Sequence, residues 1–185
     1  MRINLRYLIL FINIRAAFEQ EEDPSSKSFF SEIISSVSDI KFSRDGSYLL
    51  SRDYLSLKVW DIKMNNKPLQ KIDIHDYLRP KLCDLYENDC IFDKFECHMS
   101  GDGKFLATGS YNNYFNVYNR ITGKGTCIEA SKTVRTAKKV STKENDWINP
   151  DLLDYNKKCL HVAWHPKMNI VALGASNNLY LYHAE

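Results

Sequence analysis

The chain has 185 residues, 44% hydrophobic and 26% charged, a balance ordinary for a globular domain with a real core. The formal net charge of +2 gives no general pull toward nucleic acid. Five cysteines (Cys83, Cys90, Cys97, Cys127, Cys159) form no CxxC pair and no zinc spacing, so they read as reduced thiols of a cytosolic or nuclear protein.

Near its start the chain carries a largely apolar run, Leu5 to Ile14, with Arg2 just before it and Arg6 within it. The run is too short to span a bilayer, and short for a signal peptide. A weak anchor, a strand and a segment foreign to the domain compete as readings. The abrupt change of character near Arg15 favours the last, and predicts a natural product that is longer at its N-terminus. The acidic run Glu19 to Asp23, followed by Pro24 and two serines, reads as a linker over residues 15–28. Phe29 and Phe30 follow. Side chains alternate along a strand, so two adjacent aromatics cannot both face a core. One is expected at the surface, to contact a partner or to staple the loop.

Three segments then share one pattern: Ile40–Ile62, Cys97–Asn119 and Val162–His183. Each opens with an alternating apolar strand and a tight turn (Arg44-Asp45-Gly46, Gly101-Asp102-Gly103, Pro166-Lys167-Met168). A second strand follows, at Tyr48–Ser51, Phe105–Gly109 and Ile170–Gly174. After a polar turn comes a third, at Leu57–Asp61, Phe115–Tyr118 and Leu179–Tyr182. Gly and Asn suit such turns because they tolerate positive φ. The first unit ends in Trp60-Asp61, the dipeptide that marks WD40 blades. Asp53, in its second turn, is expected to hydrogen-bond within the blade, and Arg52 beside it to face the top surface. Units this small cannot bury their faces alone, but stacked units can. The spacing of Phe42, Met99 and Trp164 exceeds the usual blade period of about 40–45 residues. The excess lies in connections 63–93 and 120–158, where long loops on a rigid scaffold tend to carry function. The predicted fold is therefore all-β, a partial WD40 β-propeller of about three blades over residues 29–185.

Leu85 to Glu96, in the first connection, mixes aromatics (Tyr86, Phe92), carboxylates (Glu87, Asp89, Asp93) and a cation (Lys94), a composition suited to gripping a peptide or short helix. Phe95 reads as core. In the second connection the basic residues Lys132, Arg135, Lys138, Lys139 and Lys143 lack interleaved aromatics and read as a solvated loop. His161 and His165 would share one face of a helix and could chelate zinc there. The residues between them read as a strand, which separates the two by about 13 Å. The chain has no GxSxG, Walker A or GxGxxG motif, and no metal, cofactor or catalytic residue is assigned.

The stretches FFSEIISSVSDIKFSRDGSYLLSRDYLSLKVWDIKM (Phe29–Met64), HDYLRPKLCDLYENDCIFDKFEC (His75–Cys97), TGSYNNYFNVYNR (Thr108–Arg120) and NKKCLHVAWHPKMNIVALGASNNLYLY (Asn156–Tyr182) resemble the 55 kDa, WD40-type regulatory B subunits of protein phosphatase 2A. The resemblance covers roughly residues 15–183 and leaves out residues 1–14. It implies the last three or so blades of a seven-bladed ring that does no chemistry itself. Regulators of this kind bind the scaffold (A) and catalytic (C) subunits, and they recruit phosphoprotein substrates and inhibitors over the top face. The resemblance implies substrate contacts at Tyr86, Glu87, Asp89, Phe92, Lys94, Phe29 and Phe30; Arg52, expected on the top surface, joins them as a substrate-contact candidate, and Asp53, Trp60 and Asp61 read as structural residues of the blade. The leading expectation is a non-catalytic regulator with neither nucleic-acid nor membrane partners. The runner-up is a WD40 scaffold unable to assemble the phosphatase. A metallohydrolase using His161 and His165 stands last.

Overall fold

The computed structural model describes residues 17–18, 27–64, 66–132, 138–140 and 148–183. Residues 1–14, most of the 15–28 linker, and Arg135 and Lys143 of the basic stretch lie outside the described residues. Lys132 is exposed.

The repeats fold as three antiparallel sheets, each built in chain order by hairpins. The first holds β1 (Asp39–Phe42), β2 (Tyr48–Arg52), β3 (Ser56–Asp61) and β4 (Gln70–Asp73). The second holds β5 (Cys97–Met99), β6 (Phe105–Gly109), β7 (Tyr114–Asn119), β8 (Gly125–Glu129) and β9 (Lys138–Val140). The third holds β10 (His161–Trp164), β11 (Ile170–Ala175) and β12 (Asn178–His183). The inner strands β1, β5 and β10 lie side by side, so the sheets stand as successive blades around one edge. The hairpins turn where the sequence places its turn residues. Gly46 and Gly103 have φ near +71°, and Asn112 and Asn113 have φ of 57°. The second and third strands predicted in the three units are all present: β6 has the expected bounds, and the others are longer by one or two residues.

Cross-strand pairs fix which face each side chain takes. Leu50, Leu57 and Val59 turn toward the second blade and bury against Cys97, Met99 and Leu106. Ala107 and Phe115 turn the other way and bury against Trp164, Val171 and Leu173. Two carboxylates at equivalent positions bolt the joints. Asp39 Oδ2 accepts from the Cys97 N–H at 2.9 Å, and Glu96 Oε2 accepts from the Val162 N–H at 3.1 Å. Trp60 donates its indole N–H to Ser51 Oγ at 2.9 Å, and the Phe18 ring meets Trp60 edge-on at 5.7 Å.

The connection after β4 is structured. Residues 76–81 form a 3₁₀ turn that runs into α2 (Leu82–Glu87), and a further turn covers 90–92. A short helix, α1 (Ser31–Ser35), precedes β1. These pieces share a third core at the upper end of the blades, the end that holds the β2–β3 and β6–β7 turns: Leu78, Leu82, Leu85 and Ile91 bury with Tyr54 and Tyr111, and Phe30 and Ile33 pack against them. No helix among the described residues is long and apolar enough to cross a membrane.

Candidate functional site

The upper end carries the candidate surface. Phe30 sits at the N-cap of α1, Tyr86 is on the last turn of α2, and Phe92 closes the following 3₁₀ turn. Their rings meet in a row. Tyr86 lies 5.7 Å from Phe29, 5.8 Å from Phe30 and 5.8 Å from Phe92, and Phe29 meets Phe30 edge-on at 5.2 Å. Phe29 is 74% exposed, Phe92 47% and Tyr86 40%, while Phe30 is half-buried and ties the row to the core. The two phenylalanines part company at a helix start, where the sequence reading had assumed a strand.

Charge borders the row. Lys94 is exposed and donates to Ser36 Oγ at 3.1 Å. A shallow groove between Phe92, Lys94 and Glu32 runs over Ile33 and Ile91. Glu87 and Asp89 are exposed at the same C-terminal end of α2 as Tyr86, with Asp89 held at φ of 58°. Seven of the eight residues expected to contact substrate thus lie on or beside one surface.

Arg52 does not. The sequence reading placed it on the top surface, but it is fully buried. β2 runs one residue further than expected, and the strand alternation then points Arg52 inward beside Leu50, over the Phe95 ring at 5.7 Å. Its Nη2 lies 3.2 Å from His75 Nδ1, while its Nε and Nη1 have no partner. Burial pushes the guanidinium pKa down, and the nearby Asp53 opposes this. A buried charge so poorly paired does not stabilise a fold. Arg52→Met is expected to keep urea stability within about 1 kcal/mol of wild type, while Arg52→Ala loses roughly 2–4 kcal/mol to the cavity it leaves.

Asp53 holds its own turn: Oδ1 accepts from the Leu55 and Ser56 N–H groups at 3.0 and 2.7 Å, and Oδ2 pairs with Lys58 at 3.1 Å. Asp61 accepts from the Lys63 N–H at 2.8 Å. Beneath the aromatic row lies a network that sequence reasoning missed. The Tyr111 hydroxyl lies 2.8 Å from the Tyr54 hydroxyl, 2.8 Å from the Cys90 carbonyl and 2.9 Å from Asp93 Oδ2, and Asp93 pairs with Lys158 at 2.7 Å. Burial holds both phenols well above their usual range. The network fixes the loop that carries Phe92 and Lys94. The Tyr-Asn-Asn turn was the available signal, since a Tyr in an otherwise polar turn needs a hydroxyl partner once buried.

His161 and His165 bracket β10, as the strand reading requires. His161 Nδ1 lies 3.1 Å from Glu96 Oε1, and His165 Nδ1 accepts from the Lys167 and Met168 N–H groups at 3.1 and 3.0 Å, capping the β10–β11 turn.

A regulatory subunit of serine/threonine protein phosphatase 2A from Dictyostelium discoideum, phr2AB, is 56% identical over 98% of this chain and 40% of its own length. The beta isoform of the 55 kDa regulatory B-type subunit of the same phosphatase, from Carassius auratus, is 52% identical over 97% of this chain and 42% of its own. The chain is homologous to one part of the phosphatase 2A regulatory B subunit. It spans about two fifths of the length of these B-type relatives. The aligned span covers so much of the chain that it reaches into residues 1–14, which the sequence reading set apart. No protein-family model matches the chain. Among solved structures, the β-propeller domain of Cps50 (Swd1) from Myceliophteria thermophila is similar over 80% of this chain and 51% of its own, at 11% identity and a TM-score of 0.38.

Proposed function

We propose that this chain selects substrates for a serine/threonine protein phosphatase, as part of a regulatory subunit that does no chemistry itself. The observation that carries the reading is the exposed row of Phe29, Tyr86 and Phe92 beside Lys94, Glu87 and Asp89, in a chain more than half identical to phosphatase regulatory subunits. Rigid aromatics give apolar anchors at small entropic cost, and the flanking charges set the register of a peptide or helix laid across them. The scaffold and catalytic subunits are its partners in this reading, and the cytosol its compartment, in keeping with five free cysteines. Holding a phosphoprotein near a separate active site raises its effective concentration there and chooses among its phosphosites.

Phe92→Ala and Lys94→Glu test the reading on the chain assembled with both phosphatase subunits. Each is expected to weaken binding of a phosphoprotein substrate about tenfold in a titration, with an unchanged circular dichroism spectrum. Unchanged affinity in both folded variants would refute the assignment of this surface.

A further inference from the structure

At the lower end of the blades, the end that holds the β1–β2 and β5–β6 turns, a groove of about 370 Å³ lies between the first two blades. That volume is within the range of small-ligand sites, about 300–1,000 Å³. Two arginines line it, Arg44 from the β1–β2 turn and Arg120 just after β7. Arg120 is held flat. Its guanidinium lies over the Tyr48 ring at 4.5 Å, and its Nε donates to the Gly103 carbonyl at 2.6 Å. Neither of its Nη groups has a partner among the described residues. Arg44 is exposed and commits one donor, from Nη1 to the Pro166 carbonyl at 3.3 Å. Asp45 and Asp102 also reach the groove, but each turns back into its own hairpin. Asp45 Oδ1 accepts from Ser43 Oγ at 2.6 Å, and Asp102 Oδ1 accepts from Ser100 Oγ at 2.6 Å. Lys104 Nζ lies 3.6 Å from Asp102 Oδ2, so three cations stand against two carboxylates.

We propose that this groove is a second binding site, for the phosphomonoester of a phosphorylated side chain. A guanidinium fixed between an aromatic face and a carbonyl has already given up the rotamer freedom that binding would otherwise cost it. The donors left to Arg120 form a planar fork that matches two oxygens of a phosphate. A phosphomonoester carries close to two negative charges and three acceptor oxygens at neutral pH, enough to engage both arginines. A carboxylate has one charge and two oxygens, which a single fork satisfies. The groove lies at the opposite end of the blades from the row of Phe29, Tyr86 and Phe92. It therefore goes beyond the substrate surface and does not depend on that reading.

Amide nuclear magnetic resonance on the full 185-residue chain tests this, with blocked phosphoserine (N-acetyl, C-amide), inorganic phosphate and acetate titrated separately. Amides of residues 44–47 and 101–104 are expected to shift with phosphoserine and with inorganic phosphate, saturating in the millimolar range, while acetate binds about tenfold more weakly or less. Arg120→Gln and Arg44→Gln each weaken phosphoserine binding about tenfold. Arg44 lies on an exposed turn, so its variant tests the site whether or not Arg120→Gln folds. No saturable shift at these amides, acetate binding as tight as phosphoserine, binding of inorganic phosphate without phosphoserine, or unchanged affinity in folded Arg44→Gln would overturn the proposal.

Discussion

Gly109→Ala is expected to destabilise the chain by about 3 kcal/mol or more in urea unfolding. A Cβ at this position would lie 1.6 Å from the Cys159 carbonyl oxygen and 2.7 Å from its carbon. Those atoms are backbone, and they cannot swing aside as a side-chain tip would. The Cys159 N–H donates to the Ser110 carbonyl at 2.9 Å, next door to the clash. Relief of the overlap would pull the entry of the third blade away from the second and open the buried cluster around Cys159, whose thiol pKa burial pushes up to about 12. Gly46→Ala is the control. A Cβ there meets nothing within 4 Å, and its φ of +71° is the sole strain, expected to cost roughly 1–2 kcal/mol. Equal losses in the two variants would show that blade contact at Gly109 is not tight.

Acid is expected to weaken the fold through His75. The ring is fully buried, and its Nε2 lies 2.8 Å from Ser110 Oγ. Its Nδ1 lies 3.0 Å from the Tyr54 carbonyl and 3.2 Å from Arg52 Nη2. One nitrogen cannot donate to the first and accept from the second at once. In either tautomer the imidazole is neutral, because burial, and then the charge of Arg52, hold its pKa well below the ordinary value. The unfolded chain takes up a proton below about pH 6.5 and the folded chain does not. Stability from this group is therefore complete above pH 6.5 and falls as the pH drops, by up to about 2 kcal/mol at pH 5. Carboxylates add their own slope, so the measurement is a comparison. His75→Gln should be less stable than wild type at pH 7.5 and lose less between pH 7.5 and pH 5. Parallel losses in the two proteins would mean that His75 is not the acid-sensitive group.

The three-strand units were legible because each strand alternates and each turn carries its Gly or Asn. The outer strands were not. β4 (Gln70–Asp73) offers a single buried side chain, Ile72, between polar residues, and neither β4 nor β8 is announced by an Asp-Gly or Asn-Asn turn. α2 was hidden for a related reason: six residues give less than two turns, too few for a helical period to show. The candidate surface was half legible. Tyr86, Phe92 and Lys94 stand out as a mixed cluster in one stretch, but the meeting of Phe29 with Tyr86 joins segments far apart in the chain and is a property of packing alone. Arg52 misled because a charged side chain beside a turn is ordinarily solvated. The signal against that reading was its two-residue spacing from Leu50, which puts both on one face of β2.

The phosphatase reading meets its most direct test in affinity capture of the tagged chain from its native cell, with mass spectrometry of the proteins that accompany it. The account predicts recovery of the phosphatase scaffold and catalytic subunits with the wild-type chain, and equally with Phe92→Ala, whose change lies on the substrate surface. Recovery of chaperones without either of those phosphatase subunits would contradict it.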